Sequence, residues 1–335
     1  MKVIVAPHFR AMDEIFRPET LLRLQNLAEV VWATNGPVPE DEFKHHISDA
    51  DAVVFGTWEY GDALAGAGTN LRALLEVAGG HSHHDLDYQQ CFDKGIQVGS
   101  ASPAFGPAVA EMALGLTLAS LRGIAGNDRD FRSGRERWLH DGNEDSRTLF
   151  GTTVAFIGCG SLSVSLQRLL EPFGVTIIGY DPFVPDEELQ DRGVTPAEIG
   201  ECFGAEVIYV LAVPSASSVG MLNRDLLKGL DADQTLVVMS RASLLDFDAL
   251  TELAGAGRFG LAVDVFPEEP LPLSHPLREA DGVVLSSHRA GALPEALLAI
   301  GDMVVDDLAL ILDGDTGQHL QYLTPGNAEG LVRPR

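Results

Sequence analysis

Short runs of apolar residues alternate along this chain with stretches whose apolar residues recur every third or fourth position. Runs of the first kind predict strands, and stretches of the second kind predict amphipathic helices. The first five strands are expected in "KVIVAPHF", "AEVVWAT", "DAVVFGT", "LRALLEVAG" and "IQVGSA". Helices fit between them, among them "PETLLRLQNLA" with Pro18 near its first turn, where a missing N–H costs nothing. A long apolar helix is expected over Ala108–Ile124, followed by a polar, loop-like section, "GNDRDFRSGRERWLHDGNEDS". A second set of strands begins after it: "TVAFIG", "VTIIGYD", "VIYVLAV", "TLVVMS", "GLAVDVF" and "GVVLSSH". The tail reads as a long helix, "EALLAIGDMVVDDLALILDG", and then a loop.

Strands and helices in alternation predict βα units on parallel sheets. A chain of 335 residues is long enough for two lobes with substantial cores. The expected fold class is α/β with two Rossmann-like lobes. The six later strands match in number one doubly wound, dinucleotide-binding parallel sheet. The two halves are alike in architecture, not in sequence, and there is no short repeat or low-complexity segment.

Composition narrows the partners. A formal net charge of −26 argues against nucleic acid, whose phosphates need Lys and Arg, and against an anionic membrane surface. Lys2, Lys44, Lys94 and Lys228 are the only lysines, so most of the positive charge sits on arginine. Salt adaptation and GC-rich coding would both give this bias. The longest apolar run, Met112–Leu121, is too short to span a bilayer and is bracketed by Glu111 and Arg122. Cys91, Cys159 and Cys202 are scattered and odd in number, and "MKVIVAPHF" reads as a strand, not a signal segment. A reducing, cytoplasmic setting without disulfides is expected.

Candidate chemistry begins at "TVAFIGCGSLS", a strand running into a glycine-rich turn and a helix. Gly158 and Gly160 supply the first two glycines of a G-x-G-x-x-G turn, one for the tight bend and one for close approach to a pyrophosphate. Ser163 stands at the third position, whose glycine serves helix–strand packing. The next strand ends at Asp181, 21 residues after Gly160. A carboxylate there can accept hydrogen bonds from ribose hydroxyls and would repel the 2′-phosphate of NADP. Pro182 and Phe183 follow, with no arginine to neutralise that phosphate, so NAD is the expected cofactor. An ordinary turn and a solvated strand-end acid are the plainer readings of these residues.

Three later segments carry polar residues at strand ends: "VVMSRASLLDFDAL" with Arg241, "AVDVFPEEP" with Asp264 and Glu269, and "LSSHRAG" with His288. In a doubly wound sheet the carboxyl ends of the strands line one crevice. An arginine fork there can bind a carboxylate in two places. A histidine can give a proton to a carbonyl oxygen as hydride reaches its carbon, and an acid can orient the ring and favour its charged form. Each residue alone has an ordinary explanation: a surface arginine, a solvated loop acid, a satisfied histidine. In this order after a dinucleotide loop they point to reduction of a 2-oxo acid.

Through these motifs the chain resembles the D-isomer-specific 2-hydroxyacid dehydrogenase family over nearly its whole length. The segments that carry the likeness are "GCGSLS", "SRASLLDFDAL", "DVFPEEP", "SHRAG" and "PAVAEMALGLTLASLRGI". The resemblance implies an NAD-dependent 2-oxo acid reductase forming an (R)-2-hydroxy acid. Arg241 would bind and polarise the substrate, and Glu269 would partner His288, the acid/base. The cofactor would lie on Gly158, Cys159, Gly160, Ser161, Leu162, Asp181, Pro182, Val213, Pro214, Ser240, Asp264, His288 and Gly291. Asp264 would sit near the nicotinamide side and Pro214 near the adenine side. A flavodoxin-like substrate lobe would comprise residues 1–104 and 294–335, with an NAD-binding lobe, 105–293, inserted and making a homodimer interface. The chain departs from the family pattern at Ser163, at Ala242 and Ala212, and in "SPAFGPAVAE", one residue shorter than usual. An acid at position 269, where formate dehydrogenases of the family carry an amide, favours oxo-acid reduction.

The stretch "GGHSHHD", with His81, His83 and His84 nearly adjacent, first suggests a metal site. No H-E-x-x-H or C-x-x-C accompanies it, and no metal is expected. The resemblance puts it at the loop whose backbone N–H groups bind the substrate carboxylate, with Gly80, His81 and Ser82 in contact. A polar surface turn remains the alternative. His81 and His83 share a face if the strand continues, and with Arg289 they could hold an extra anionic group on the substrate. Two further readings stay open: an NAD(H)-sensing, corepressor-like protein, and a serine hydrolase, which would need a G-x-S-x-G that is missing.

Overall fold

A computed structural model describes residues 1–80, 85–215 and 218–328. The chain divides into two compact units, Met1–Phe105 with Ala292–Arg335, and Gly106–Gly291.

The first unit is built on strands β1 (Lys2–Ala6), β2 (Glu29–Trp32), β3 (Ala52–Phe55), β4 (Ala73–Glu76) and β5 (Gln97–Ser100). Their spatial order is β2-β1-β3-β4-β5, all parallel, which is the flavodoxin-like order. Side chains alternate between the faces, and both faces are covered. Val3, Val5, Val54 and Leu75 pack with Leu24 and with Ile300, Val304 and Leu308 of the long C-terminal helix Pro294–Asp313. Ile4, Val53, Phe55 and Leu74 pack on the other side with Phe43 and Ile47. Burial on both faces is why these strands read as unbroken apolar runs.

The tail does more than the expected loop. Gly314, at φ +100°, ends the Pro294–Asp313 helix, and Gln321–Tyr322 then form a strand antiparallel to β5. Asp307, fully buried inside that helix, holds this tail segment. Its carboxylate accepts from the N–H groups of Gln318 (2.7 Å) and Leu320 (2.8 Å), from the Tyr322 hydroxyl (2.8 Å), and contacts His319 Nδ1 at 2.8 Å. Burial pushes this carboxyl up, but the converging donors outweigh it and hold it below the usual aspartate range.

The second unit carries β6 (Thr153–Ile157), β7 (Thr176–Tyr180), β8 (Thr195–Pro196), β9 (Val207–Val210), β10 (Thr235–Val238), β11 (Gly260–Val263) and β12 (Val283–Leu285). With the tail strand Gln321–Tyr322 as β13, the described residues hold thirteen strands in chain order. The second sheet runs β8-β7-β6-β9-β10-β11-β12, all parallel. This is the doubly wound dinucleotide order with one further edge strand. The sequence showed six strands here. The missed one, β8, is two residues long and contains a proline, which confines it to a sheet edge.

Two other elements differ from expectation. The long apolar helix runs over Ser102–Leu121, beginning six residues and ending three residues before the expected Ala108–Ile124, with Pro103 in its first turn and Pro107 inside it. It is long and apolar enough to cross a membrane by composition alone, yet half of that stretch is buried within the protein. Its Thr117 hydroxyl donates to the Ala113 carbonyl and pairs with the Tyr209 hydroxyl of β9 at 2.7 Å. The section read as a loop contains a second helix, Ile124–Arg132, braced by an Arg132–Asp128 pair one turn apart.

Candidate active site

The order of the second sheet reverses at β6 and β9, and ligands of such sheets bind beyond the strand ends at that point. The Gly158–Ser161 turn lies there. Gly158 has φ +96°, and a Cβ on it would lie 2.4 Å from Ala212 Cα, so only glycine fits. Above Gly160 an added Cβ would meet nothing within 4 Å, leaving its backbone open to a close ligand. Ser161 and Leu162 open the helix Ser161–Leu170, whose first N–H groups form a ready anion site. Ser163 is buried, and its hydroxyl donates to the Gly160 carbonyl at 2.7 Å. The serine that replaces the third glycine therefore braces the turn.

Asp181 directly follows β7, which ends one residue before the expected strand end. One oxygen accepts from the Cys159 N–H (2.8 Å), the other from the Phe183 N–H (2.9 Å). A carboxylate has about four lone-pair positions, so two remain for ribose hydroxyls. Arg192, which the sequence did not single out, donates to the Cys159 carbonyl at 2.8 Å and pairs with Glu188. Cys159 itself is buried, and burial pushes its thiol up to about 12, so it serves packing, not nucleophilic chemistry. Pro182, Val213 and Pro214 are partly or fully exposed at the same end of the sheet, and Ser240 donates to the Ala212 carbonyl. An open Gly160, a helix N-terminus and a strand-end acid together fit the pyrophosphate and ribose of a dinucleotide.

Arg241 follows β10 and is exposed, with Nη1 3.2 Å from the Ser240 carbonyl. Asp264, just past β11, is buried, and it holds backbone. Its carboxylate accepts from the N–H groups of Arg289 (3.2 Å) and Ala290 (3.1 Å), and its carbonyl accepts from the His288 N–H at 2.7 Å. These bonds keep His288 at φ +49°, a region that costs a non-glycine residue about 1 to 3 kcal/mol. His288 Nδ1 then meets Glu269 Oε2 at 2.6 Å. Glu269 Oε1 accepts from the Phe266 N–H at 2.9 Å, which fixes the carboxylate that fixes the ring.

Burial pushes the Glu269 carboxyl up, but the His288 hydrogen bond, the Phe266 N–H and the charges of His288 and Arg241 outweigh it. The group is held below the usual glutamate range and stays charged at neutral pH. Arg241, Glu269 and His288, from three strand ends, thus share one field. Beside them is a cavity of about 700 Å³ lined by Glu269, His288, Arg289 and Arg278 and by apolar Met112, Phe266 and Leu285. Arg289 is exposed and Gly291 partly so.

In the first unit, Gly80 is described and open above its Cα. His81, Ser82, His83 and His84 lie outside the described residues. Among the described residues no three His, Cys, Asp or Glu side chains are grouped to hold a metal.

A family model described as D-isomer specific 2-hydroxyacid dehydrogenase, NAD binding domain, matches residues 114–290, more than half of the chain. The chain belongs to the D-isomer specific 2-hydroxyacid dehydrogenase family. The likeness to a solved phosphoglycerate oxidoreductase from Rhizobium etli has a TM-score of 0.83 at 31% identity, covering 96% of this chain and 98% of that one. D-3-phosphoglycerate dehydrogenase of Methanocaldococcus jannaschii is 30% identical over 321 residues, 93% of this chain and 59% of that protein. The chain thus spans well under two thirds of that relative's length. Glyoxylate reductase of Thermofilum pendens is 27% identical over 292 residues, covering 83% of each chain. The residues that the family model matches are the family's NAD-binding domain.

Proposed function

We propose that this dehydrogenase reduces a 2-oxo acid to an (R)-2-hydroxy acid, with NADH as cofactor and a second anionic group on the substrate. The observation that carries the reading is the 2.6 Å His288–Glu269 pair within reach of the Arg241 charge. Bound NADH supplies the hydride. Arg241 binds the substrate carboxylate in two places and draws charge from the adjacent carbonyl. His288, steered by Glu269 through Nδ1, delivers a proton from Nε2 to the carbonyl oxygen. Asp264, on the nicotinamide side in this reading, also holds the loop that carries His288, its carbonyl accepting from the His288 N–H and its carboxylate from the next two N–H groups. Gly158, Cys159, Gly160, Ser161, Leu162, Asp181 and Pro182 hold the adenosine and pyrophosphate end. Gly80, His81, Ser82 and Arg289 would contact the substrate. Ile124, Phe131, Trp138 and Leu139 of the second unit are exposed, with the Phe131 and Trp138 rings 6.2 Å apart, which supports a homodimer through that unit. The three buried free thiols suit a reducing cytoplasm.

The test is a panel of 2-oxo acids, with and without a second anionic group, assayed with NADH and with NADPH by cofactor absorbance. NADH oxidation with at least one acid is expected, with NADPH poorer because Asp181 would face its 2′-phosphate. No oxidation of either cofactor across the panel would sink the reductase reading, and preference for NADPH would sink the role of Asp181. The sensing alternative has no specific observation in its favour.

Glu269→Gln tests the pair. The amide keeps the shape of the side chain but removes the carboxylate that meets His288 Nδ1 at 2.6 Å. With the ring no longer held by that charge, kcat/KM at neutral pH should fall on the order of tenfold or more. A rate within about threefold of wild type would exclude Glu269 as the working partner of His288.

A further inference from the structure

The loop after β1 holds a cation without an obvious purpose. Arg10 closes a turn in which its N–H donates to the Pro7 carbonyl at 2.8 Å. Its guanidinium is half-buried and stacked, 5.0 Å from the Phe9 ring centroid and 5.7 Å from that of Phe105. Its Nε is shut off from solvent and has no hydrogen-bond partner among the described residues. Burial lowers its basicity, and the charge of Glu14 opposes that only in part.

This is unusual in a chain with 49 acidic and 23 basic residues. Arg17, Arg23, Arg132, Arg192 and Arg224 each pair with a carboxylate. Arg10 forms no such pair among the described residues, although it is better shielded from water than several of these. A cation kept desolvated and short of acceptors is prepared for an anion that arrives from outside.

Its place in the fold says which anion. The first sheet reverses its order at β1 and β3, so the loop after β1 lies at the position where ligands of such sheets bind. The Thr57 N–H, just past β3, donates to the His8 carbonyl and ties the two loops together. The Phe105 ring that flanks Arg10 also closes on Gly79, where an added Cβ would lie 3.3 Å from Phe105 Cδ2. Arg10 and the Gly79–Gly80 backbone therefore flank one aromatic ring in the same unit.

We propose that Arg10 is a specificity-determining residue that binds a second, distal anionic group of the 2-oxo acid, carboxylate or phosphate, while the Gly79–Gly80 backbone faces the reacting end. The inference rests on the reductase reading above and names the group behind its second anion. The two aromatic rings hold the guanidinium plane, so the fork meets a planar carboxylate or a phosphate without first being ordered.

The experiment compares matched substrates in the full-length chain: 2-oxoglutarate against 2-oxovalerate for a carboxylate, and 3-phosphohydroxypyruvate against hydroxypyruvate for a phosphate. In Arg10→Met the dianion-to-monoanion ratio of kcat/KM should fall roughly ten- to a hundredfold for at least one pair, since hydrogen bonds to charged groups carry effects of that order. The monoanion rate should stay within about threefold. The pair that responds identifies the anion. Arg10→Lys, with charge but no fork, should lie between. An unchanged ratio in both pairs overturns the proposal, as does equal loss on all four acids with a lowered Tm, which is what a purely structural arginine would give. If the wild-type chain reduces none of them, the reductase reading fails by itself. Arg10 is then judged by calorimetry with malonate against acetate: loss of malonate preference in Arg10→Met supports it, and no change overturns it.

Discussion

His288→Asn should slow 2-oxo acid reduction by roughly 10²- to 10⁴-fold, the range that a positioned general acid supplies. Asparagine is the cleaner replacement because position 288 sits at φ +49°, a conformation asparagine adopts more readily than alanine. The Asp264 carbonyl would still receive the residue-288 N–H, and Asp264 would still hold the next two N–H groups, so the loop should keep its path. What disappears is the titrating ring and its 2.6 Å contact with Glu269. Single-turnover rates with saturating NADH, with Tm as a check on folding, give the measurement. A loss smaller than about tenfold would show that the proton comes from elsewhere.

Arg241→Gln should cost on the order of a hundred- to a thousandfold in kcat/KM, because two charge-assisted hydrogen bonds to one carboxylate are lost together. Lysine should recover little of this, since it brings a point charge and no planar fork. The fold should tolerate both changes. Arg241 is exposed at φ −133°, and the buried residue behind it, Ala242, lies among the residues without positive φ. That last fact explains why alanine serves where the family more often has glycine. A second effect checks the geometry. The charge of Arg241 helps hold the Glu269 carboxyl down, so the glutamine variant should also carry a higher Glu269 pKa. Reduction of glyoxylate by Arg241→Gln at near wild-type efficiency would remove Arg241 from the substrate site.

Both sheets were legible in the sequence because their central strands are covered on two faces and so read as apolar runs. The strand order was not, since order depends on which helices cross which face. It was supplied by likeness and then found. The elements missed were those whose stability comes from contacts, not from pattern. β8 and β13 are two residues each, too short for any periodicity, and the helix Ile124–Arg132 has no buried residue to mark it. At the candidate site, Arg241, Glu269 and His288 stood out as polar residues at strand ends. Arg192 did not, because its partner is a backbone carbonyl, and a carbonyl leaves no trace in sequence. Asp264 was noticed as a cofactor-side acid; its burial, which sequence does not print, sets its carboxylate on the Arg289 and Ala290 N–H groups. Arg10 drew no notice in the sequence, because the Phe105 ring near its guanidinium comes from a distant part of the chain.

The tail strand has a consequence for how the protein behaves among its neighbours. Without β13 the first sheet would end at β5, a strand rich in small and apolar residues whose outer N–H and C=O groups would be free to recruit another extended chain. Laying Gln321–Tyr322 along that border, antiparallel and tied to the buried Asp307, takes the template away. One acidic side chain in the middle of an apolar helix thereby helps to keep the molecule from aggregating.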